Sequence, residues 1–282
     1  MIIAFRENIE GVLLACAELM ENPDCELISA KDRDALKHKM EFAGINDELR
    51  LLGFRPAVDT SKLVLHIFGS GRPKMFQRDP GVEGYISLVL RHRSSRAVEL
   101  VRFLVSCKGD VESLYSGKTR IGKKYYNYMR DVSRSYHRLC MFARPYSVDG
   151  VLTVKVDSPH HLGDMFCRWL ARKNPDLPVA VVEGDVAWIG NGGHVGMEHY
   201  TCVPSSLAGS LKFTSATDEI DDLWDMYYDS QAIPKRRNKS HAKSLQPRAS
   251  ASMSKMSERD RYKVERGIAN CTLDNFASGS EV

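Results

Sequence analysis

The chain has 282 residues, 43% of them hydrophobic and 27% charged, which is enough apolar material for one large domain or two modest ones and unlike a disordered or membrane-embedded composition. Its formal net charge of +4 is unevenly placed: Lys118 to Arg144 and Lys235 to Lys255 each carry +7, which leaves the rest of the chain at −10. Seven cysteines, at 16, 25, 107, 140, 167, 202 and 271, include no CxxC pair, so the pattern signals neither a zinc cage nor a disulfide framework and reads as reduced thiols.

No apolar run approaches the ~20 residues that span a bilayer, and the start of the chain lacks the layout of a secretory signal. The expected location is cytoplasmic, with no membrane partner. Ile2 to Phe5 predicts a short strand, and Val12, Leu13, Cys16, Leu19 and Met20 predict a helix over Ile9 to Met20. A second helix is expected from Lys31 past Met40, stopping at Ala43-Gly44. Leu63 to Phe68 alternates as a strand would, and Gly69-Ser70-Gly71-Arg72-Pro73 breaks the chain after it.

Tyr85 to Leu90 and Ala97 to Val105 predict helices separated by the polar stretch from Arg91 to Arg96. Gly117 and Gly122 mark a loop ahead of a long helix from Lys123 to about Met141. Next come a short strand at Met141 to Arg144, an Asp149-Gly150 turn and the alternating strand Val151 to Val156. Asp157-Ser158-Pro159 resembles a cap followed by a first-turn proline, for a helix reaching Arg172. Val179 to Val182 and Val186 to Ile189 flank Glu183-Gly184-Asp185 as a hairpin, completing a β-β-α-β-β unit. An amphipathic helix over Glu219 to Ser230 carries Trp224, and a polar tail follows, with at most a short helix near Arg259 to Ile268.

The expected fold class is α+β: a helical N-terminal part, then the β-β-α-β-β unit packed with the long basic helix and a C-terminal amphipathic helix. Boundaries are expected near 117/118 and 234/235. They separate an N-terminal α/β region, the basic helix with its β-β-α-β-β core, and a basic, partly disordered tail.

The long helix is the strongest functional signal. Stepping ~100° per residue from Lys123 brings Asn127, Arg130, Arg134, His137 and Arg138 onto one face, while Tyr125, Met129, Val132, Tyr136 and Leu139 fall opposite. Guanidinium groups repeated at i, i+4 suit phosphate oxygens, which they bind bidentately without titrating. A merely solvated face normally mixes signs, because like charges at this spacing repel; here Asp131 is the one acid in the run. The candidate nucleic-acid contacts are Lys123, Lys124, Asn127, Arg130, Arg134, His137, Arg138 and Arg144, extended by Lys235, Arg236 and Arg237. Tyr126 and Tyr128 are candidates for base stacking.

Other constellations are weaker. Gly69 to Lys74 could cradle a phosphate but lacks the GxxxxGK[ST] pattern. His160-His161 reads as a surface helix start. His194, Glu198 and His199 match no standard metal spacing, so neither a metal nor a cofactor is expected. No nucleophile elbow or carboxylate pair stands out.

Taken in order, several pieces resemble the DNA-metabolism proteins encoded beside a radical-SAM protein of DNA repair or modification, a domain also found fused to uracil-DNA glycosylases. They are the opening Ile2 to Met20, the Gly122-Lys123-Lys124 entry to the long helix, Arg134, His137-Arg138 and Phe142-Ala143-Arg144. Ser158-Pro159-His160 follows in the same order, and the most specific stretch is Leu223-Trp224, Tyr227-Tyr228, Ala232-Ile233, Arg236 and Asn238. The resemblance runs from Met1 to Arg248, is poor between Lys31 and Arg96, and fails where Pro247-Arg248-Ala249-Ser250 replaces the family's terminal aromatic pair. It implies work on DNA, with a radical-SAM or uracil-DNA-glycosylase-like partner.

The expected function is therefore a DNA-binding accessory protein of DNA modification or repair, in which the arginines clamp phosphates and His137 approaches a base or phosphate. The alternatives are an enzyme acting on a nucleobase or a hypermodified base side group, with His137 or His160 as acid/base, and a protein-interaction module that binds no nucleic acid.

Overall fold

The computed structural model describes residues 1–43, 49–54, 58–148, 150–208 and 262, and the protein is α+β. It divides into two compact units, Met1–Arg134 and Ser135–Val282. The division falls inside the long helix, whereas the expected boundary lies ahead of it.

The first unit is built on a parallel three-stranded sheet, ordered β2-β1-β3, from β1 (Ile2–Arg6), β2 (Glu26–Ala30) and β3 (Leu49–Leu52). Parallel sheets persist when both faces are covered. Accordingly Ile3, Ala4 and Phe5 of the central strand are fully buried. Ile3 and Phe5 join the main core, while Ala4 packs on the other side with Ala30 and Leu36. Leu36 belongs to α2 (Arg33–Ala43), whose first turn is held where the Asp32 carboxylate accepts the Ala35 N–H at 2.8 Å.

α1 (Ile9–Glu21) starts where the Asn8 side chain accepts the Gly11 N–H at 2.7 Å. Gly11 is required there, because a Cβ would stand 2.1 Å from the Arg6 carbonyl oxygen. α3 (Thr60–Phe68), α4 (Val82–Arg91), α5 (Ala97–Ser106) and the single turn α6 (Glu112–Ser116) complete this core. Tyr85 and Tyr115 meet edge to face within it, 5.2 Å between centroids.

The strand expected over Leu63 to Phe68 is helix instead. Asp59 caps its start by accepting the Lys62 N–H, Gly69 ends it in the left-handed region at φ 72°, and Val64, Ile67 and Phe68 bury one stripe. Leu65 and His66 between them are exposed, a burial order of helical period that so short an apolar stretch does not distinguish from a strand in the sequence. β2 and β3 were not foreseen.

α7 (Arg120–Phe142) is the long helix, about 34 Å from end to end. It begins earlier than expected, and Gly122 lies in its first turn rather than in the loop. The Thr119 hydroxyl accepts the Gly122 N–H at 2.9 Å, and a Cβ on Gly122 would meet that same oxygen at 2.9 Å. It also ends later, so the strand expected over Met141 to Arg144 is not formed there. Leu139 and Ala143 continue the buried stripe, and Pro145 then stops the helix.

The second unit holds a five-stranded sheet ordered β4-β5-β6-β7-β8: β4 (Tyr146–Val148), β5 (Val151–Val156), β6 (Val179–Glu183), β7 (Val186–Gly190) and β8 (Tyr200–Pro204). β5 and β6 are parallel, joined through α8 (Gly163–Lys173), and the other pairings are antiparallel. The β-β-α-β-β order is present with a fifth strand added, and α9 (Ser205–Ala208) follows it. Gly184, at φ 60°, makes the turn between β6 and β7. Asn191, also left-handed at φ 54°, ties this unit together: its buried amide nitrogen donates to the carbonyls of Ala171, Asn174 and Leu177 at 2.9–3.1 Å.

α8 does not start at Ser158-Pro159. The Glu183 carboxylate of β6 accepts the Leu162 N–H at 2.9 Å, and Gly163 sits where a Cβ would meet the Trp188 ring at 2.6 Å. A cap supplied across the sheet, together with close backbone packing, sets the start four residues after Pro159. The helix expected over Glu219 to Ser230 and the basic stretch Lys235 to Lys255 lie outside the described residues, and of the Arg259 to Ile268 stretch only Tyr262 is described, in a helical conformation.

Candidate nucleic-acid interface

α7 is two-sided in the way its periodicity predicts. Tyr125, Met129, Val132 and Leu139 are buried, and Tyr136 is half-buried. Phe103 stacks on Tyr125 at 5.1 Å, anchoring the helix to the core of the first unit. Burial pushes the Tyr136 hydroxyl up to about 12, reinforced by the neighbouring Cys140 thiol.

Lys123, Asn127, Arg130, Arg134 and His137 are exposed, and Arg138 is half-buried. Arg134 makes an i, i+3 pair with Asp131 at 3.9 Å, with side chains 60% and 51% exposed. Arg130 lies over the Tyr126 ring, 5.7 Å from its centroid. Arg138 donates to the Ser135 hydroxyl at 3.3 Å. None of these contacts buries a guanidinium against a carboxylate.

Two candidates stand apart from this row. Lys124 turns toward α5 and donates to the Glu99 carboxylate at 2.9 Å, which holds that carboxyl below its usual range. Arg144 folds back on the end of α7 and donates to the Met141 and Ala143 carbonyls at 3.0 and 3.4 Å. Lys235, Arg236 and Arg237 lie outside the described residues.

Neither tyrosine kept open for stacking presents a bare ring. The Tyr126 hydroxyl donates to Asp79 at 3.3 Å beneath Arg130. Tyr128 stacks on His92, 3.7 Å between centroids and 8° from parallel. Burial lowers the His92 imidazole, opposed by Asp131 and assisted by Arg93. Asp79, His92 and Glu99 were not singled out in the sequence, because each meets α7 only through the tertiary fold.

The remaining constellations take other forms. The Gly69 to Lys74 loop follows a helix rather than a strand, and the Gly71 carbonyl accepts the Val82 N–H at 3.0 Å at the start of α4. A cleft of about 380 Å³ beside it is lined by Ser61, Val64, Arg72, Gly81 and Glu83 among others. His160 is buried in the β5–α8 connection, not at a surface helix start, and its N–H donates to the Ser158 hydroxyl at 3.1 Å, while His161 is exposed. A smaller cavity in the second unit is lined by Asp164, Cys167, Arg168, Trp188, Tyr200 and Cys202 among others. Neither cavity is lined by His137 or His160.

His194 lies 3.0 Å from the Pro175 carbonyl oxygen, and His199 rests edge-on to Tyr200. Among the described residues no group of three or more His, Cys, Asp or Glu has a metal-holding arrangement, and no helix is long and apolar enough to cross a membrane.

Fold and face together define an α+β protein whose long helix α7 presents a row of cations outward. The family model described as a domain of unknown function, DUF4130, matches residues 93–251, more than half of the chain, and the protein belongs to that family. The match takes in all of α7 and the second unit's sheet, and leaves out the parallel sheet of the first. No curated protein matches the chain.

Proposed function

We propose that this chain is a DNA-binding accessory protein of DNA modification or repair, gripping the phosphodiester backbone with the outward row of α7 and working beside a radical-SAM or glycosylase-like partner. The observation that carries the reading is the pairing state of the row. Arg130 and Arg134 are exposed, and among the described residues the carboxylate that meets the row, Asp131, does so in an exposed pair with Arg134 at 3.9 Å. Exposed pairs of this kind are worth ~0–1 kcal/mol. One such pair is comparable with one like-charge repulsion at i, i+4, worth ~0.2–0.5 kcal/mol, and the row holds two of them, Arg130/Arg134 and Arg134/Arg138.

A polyanion offsets this repulsion by exchanging condensed counterions for guanidinium contacts. Phosphate contacts from a helix face position a protein on nucleic acid without specifying sequence, as suits an accessory role. DNA as the polymer, and the kind of partner, rest on the resemblance carried by Gly122-Lys123-Lys124, Arg134 and His137-Arg138. The test is DNA affinity at two or more salt concentrations, for the chain and for Arg130→Ala/Arg134→Ala. Binding that ignores ionic strength, or a double variant with an unchanged salt slope, refutes the reading.

A further inference from the structure

We infer that the outward row of α7 binds the backbone of double-stranded DNA in preference to a single strand, and without regard to sequence; this rests on the nucleic-acid reading above. Proteins that hold single strands combine a cationic track with open aromatic rings on which the unstacked bases lie. The tyrosines flanking this row are already engaged. Arg130 covers Tyr126, whose hydroxyl is held by Asp79, and His92 stacks on Tyr128 at 3.7 Å with Lys124 Nζ 5.7 Å from the same centroid. Tyr125 is in the core.

What α7 offers outward is charge on a fixed ladder. Arg130, Arg134 and Arg138 stand about 6 Å apart along the axis, a span of about 12 Å set by helical geometry. A duplex presents phosphates as a rigid array, whereas a single strand must first be straightened at an entropic cost. Arginines spaced to meet phosphates carry no sequence information, and Asn127 is the one amide in the row placed to read a base edge. Electrostatics point the same way. With four contacts, the steeper counterion release of a duplex, about 0.9 against about 0.7 per phosphate, favours it about sixfold near 0.1 M salt.

The test is fluorescence anisotropy of the full chain with a short labelled duplex, its two separated strands, and a duplex of shuffled sequence. Duplex binding is expected to be tighter than binding to either strand by about sixfold, equal for the shuffled duplex within about twofold, and weakened by Arg130→Ala/Arg134→Ala. Arg130→Lys/Arg134→Lys keeps the charge but loses the guanidinium fork, and is expected to keep the salt slope and to bind the duplex more tightly than the alanine variant does. Strands bound as tightly as the duplex, or a strong dependence on sequence, would each overturn the inference while leaving DNA binding itself in place, and full affinity in a folded alanine double variant would overturn the inference together with the row as the phosphate site. Absence of binding to either form at low salt overturns the nucleic-acid reading and the inference with it.

Discussion

Replacing Arg130 and Arg134 together by alanine removes two outward guanidinium groups and leaves the buried stripe of α7 untouched, since neither side chain belongs to the core. If Lys123, Arg130, Arg134 and Arg138 each meet one phosphate, log K falls with log salt at a slope of about −3.6 on duplex DNA, and affinity drops about 150-fold between 50 and 200 mM. With two contacts gone the slope becomes about −1.8 and the same change of salt costs about 12-fold. The difference between the slopes is the decisive quantity, because cations elsewhere in the chain add equally to both. The stability cost is small: Arg130 loses its contact with the Tyr126 ring, worth about 0.5–1 kcal/mol at an exposed site, and Arg134 its exposed pair with Asp131, worth ~0–1 kcal/mol. The assay is a salt titration followed by anisotropy, with thermal melting by circular dichroism as the fold control. A double variant that melts normally and keeps the full slope would refute the reasoning, since the row would then not be where phosphates bind.

Three further outcomes test the fold around the site. Asn191→Ala removes a buried amide from three carbonyls and is expected to cost about 1–3 kcal/mol, seen as a lowered Tm, and Asn191→Asp, which aims a carboxylate at the same oxygens, is expected to be worse. Gly11→Ala places a methyl 2.1 Å from the Arg6 carbonyl oxygen and is expected to destabilise by at least about 1–3 kcal/mol. Gly193→Ala, with nothing within 4 Å of the added carbon, is the contrasting substitution that should leave the melt nearly unchanged. His92 has a pKa lowered from 6.5 by burial against Tyr128, so the unfolded chain binds its proton more readily. Stability should therefore decline as pH falls below about 6.5 and level off below the folded value. His92→Phe keeps a ring on Tyr128 while removing the titration, and urea melts across that range should show a shallower pH dependence.

The two faces of α7 were legible because amphipathicity is a local property. A rotation of ~100° per residue assigns each side chain a direction whatever the rest of the chain does. The same logic found β1, α1, α2, α4, α5, β5 and the β6–β7 hairpin. It failed at Leu63 to Phe68, where the stretch is too short for a period of 2 and one of 3.6 to be told apart. It failed again at α8, whose start is set by Glu183, a residue of the strand that follows it. β2, β3 and β8 are short strands held by their neighbours rather than by their own pattern.

On the cationic face of α7, direction and sign were readable and engagement was not. Arg130, Arg134 and Lys124 look alike as letters. Only the folded chain brings Glu99 to Lys124, Asp79 to Tyr126 and His92 to Tyr128, and so decides which cation is occupied and which rings are closed. Periodicity along one helix needs no knowledge of distant residues, and by itself it determined that a cationic face exists. What that face has left to offer depends on side chains arriving from remote parts of the sequence, and only the tertiary structure decided it.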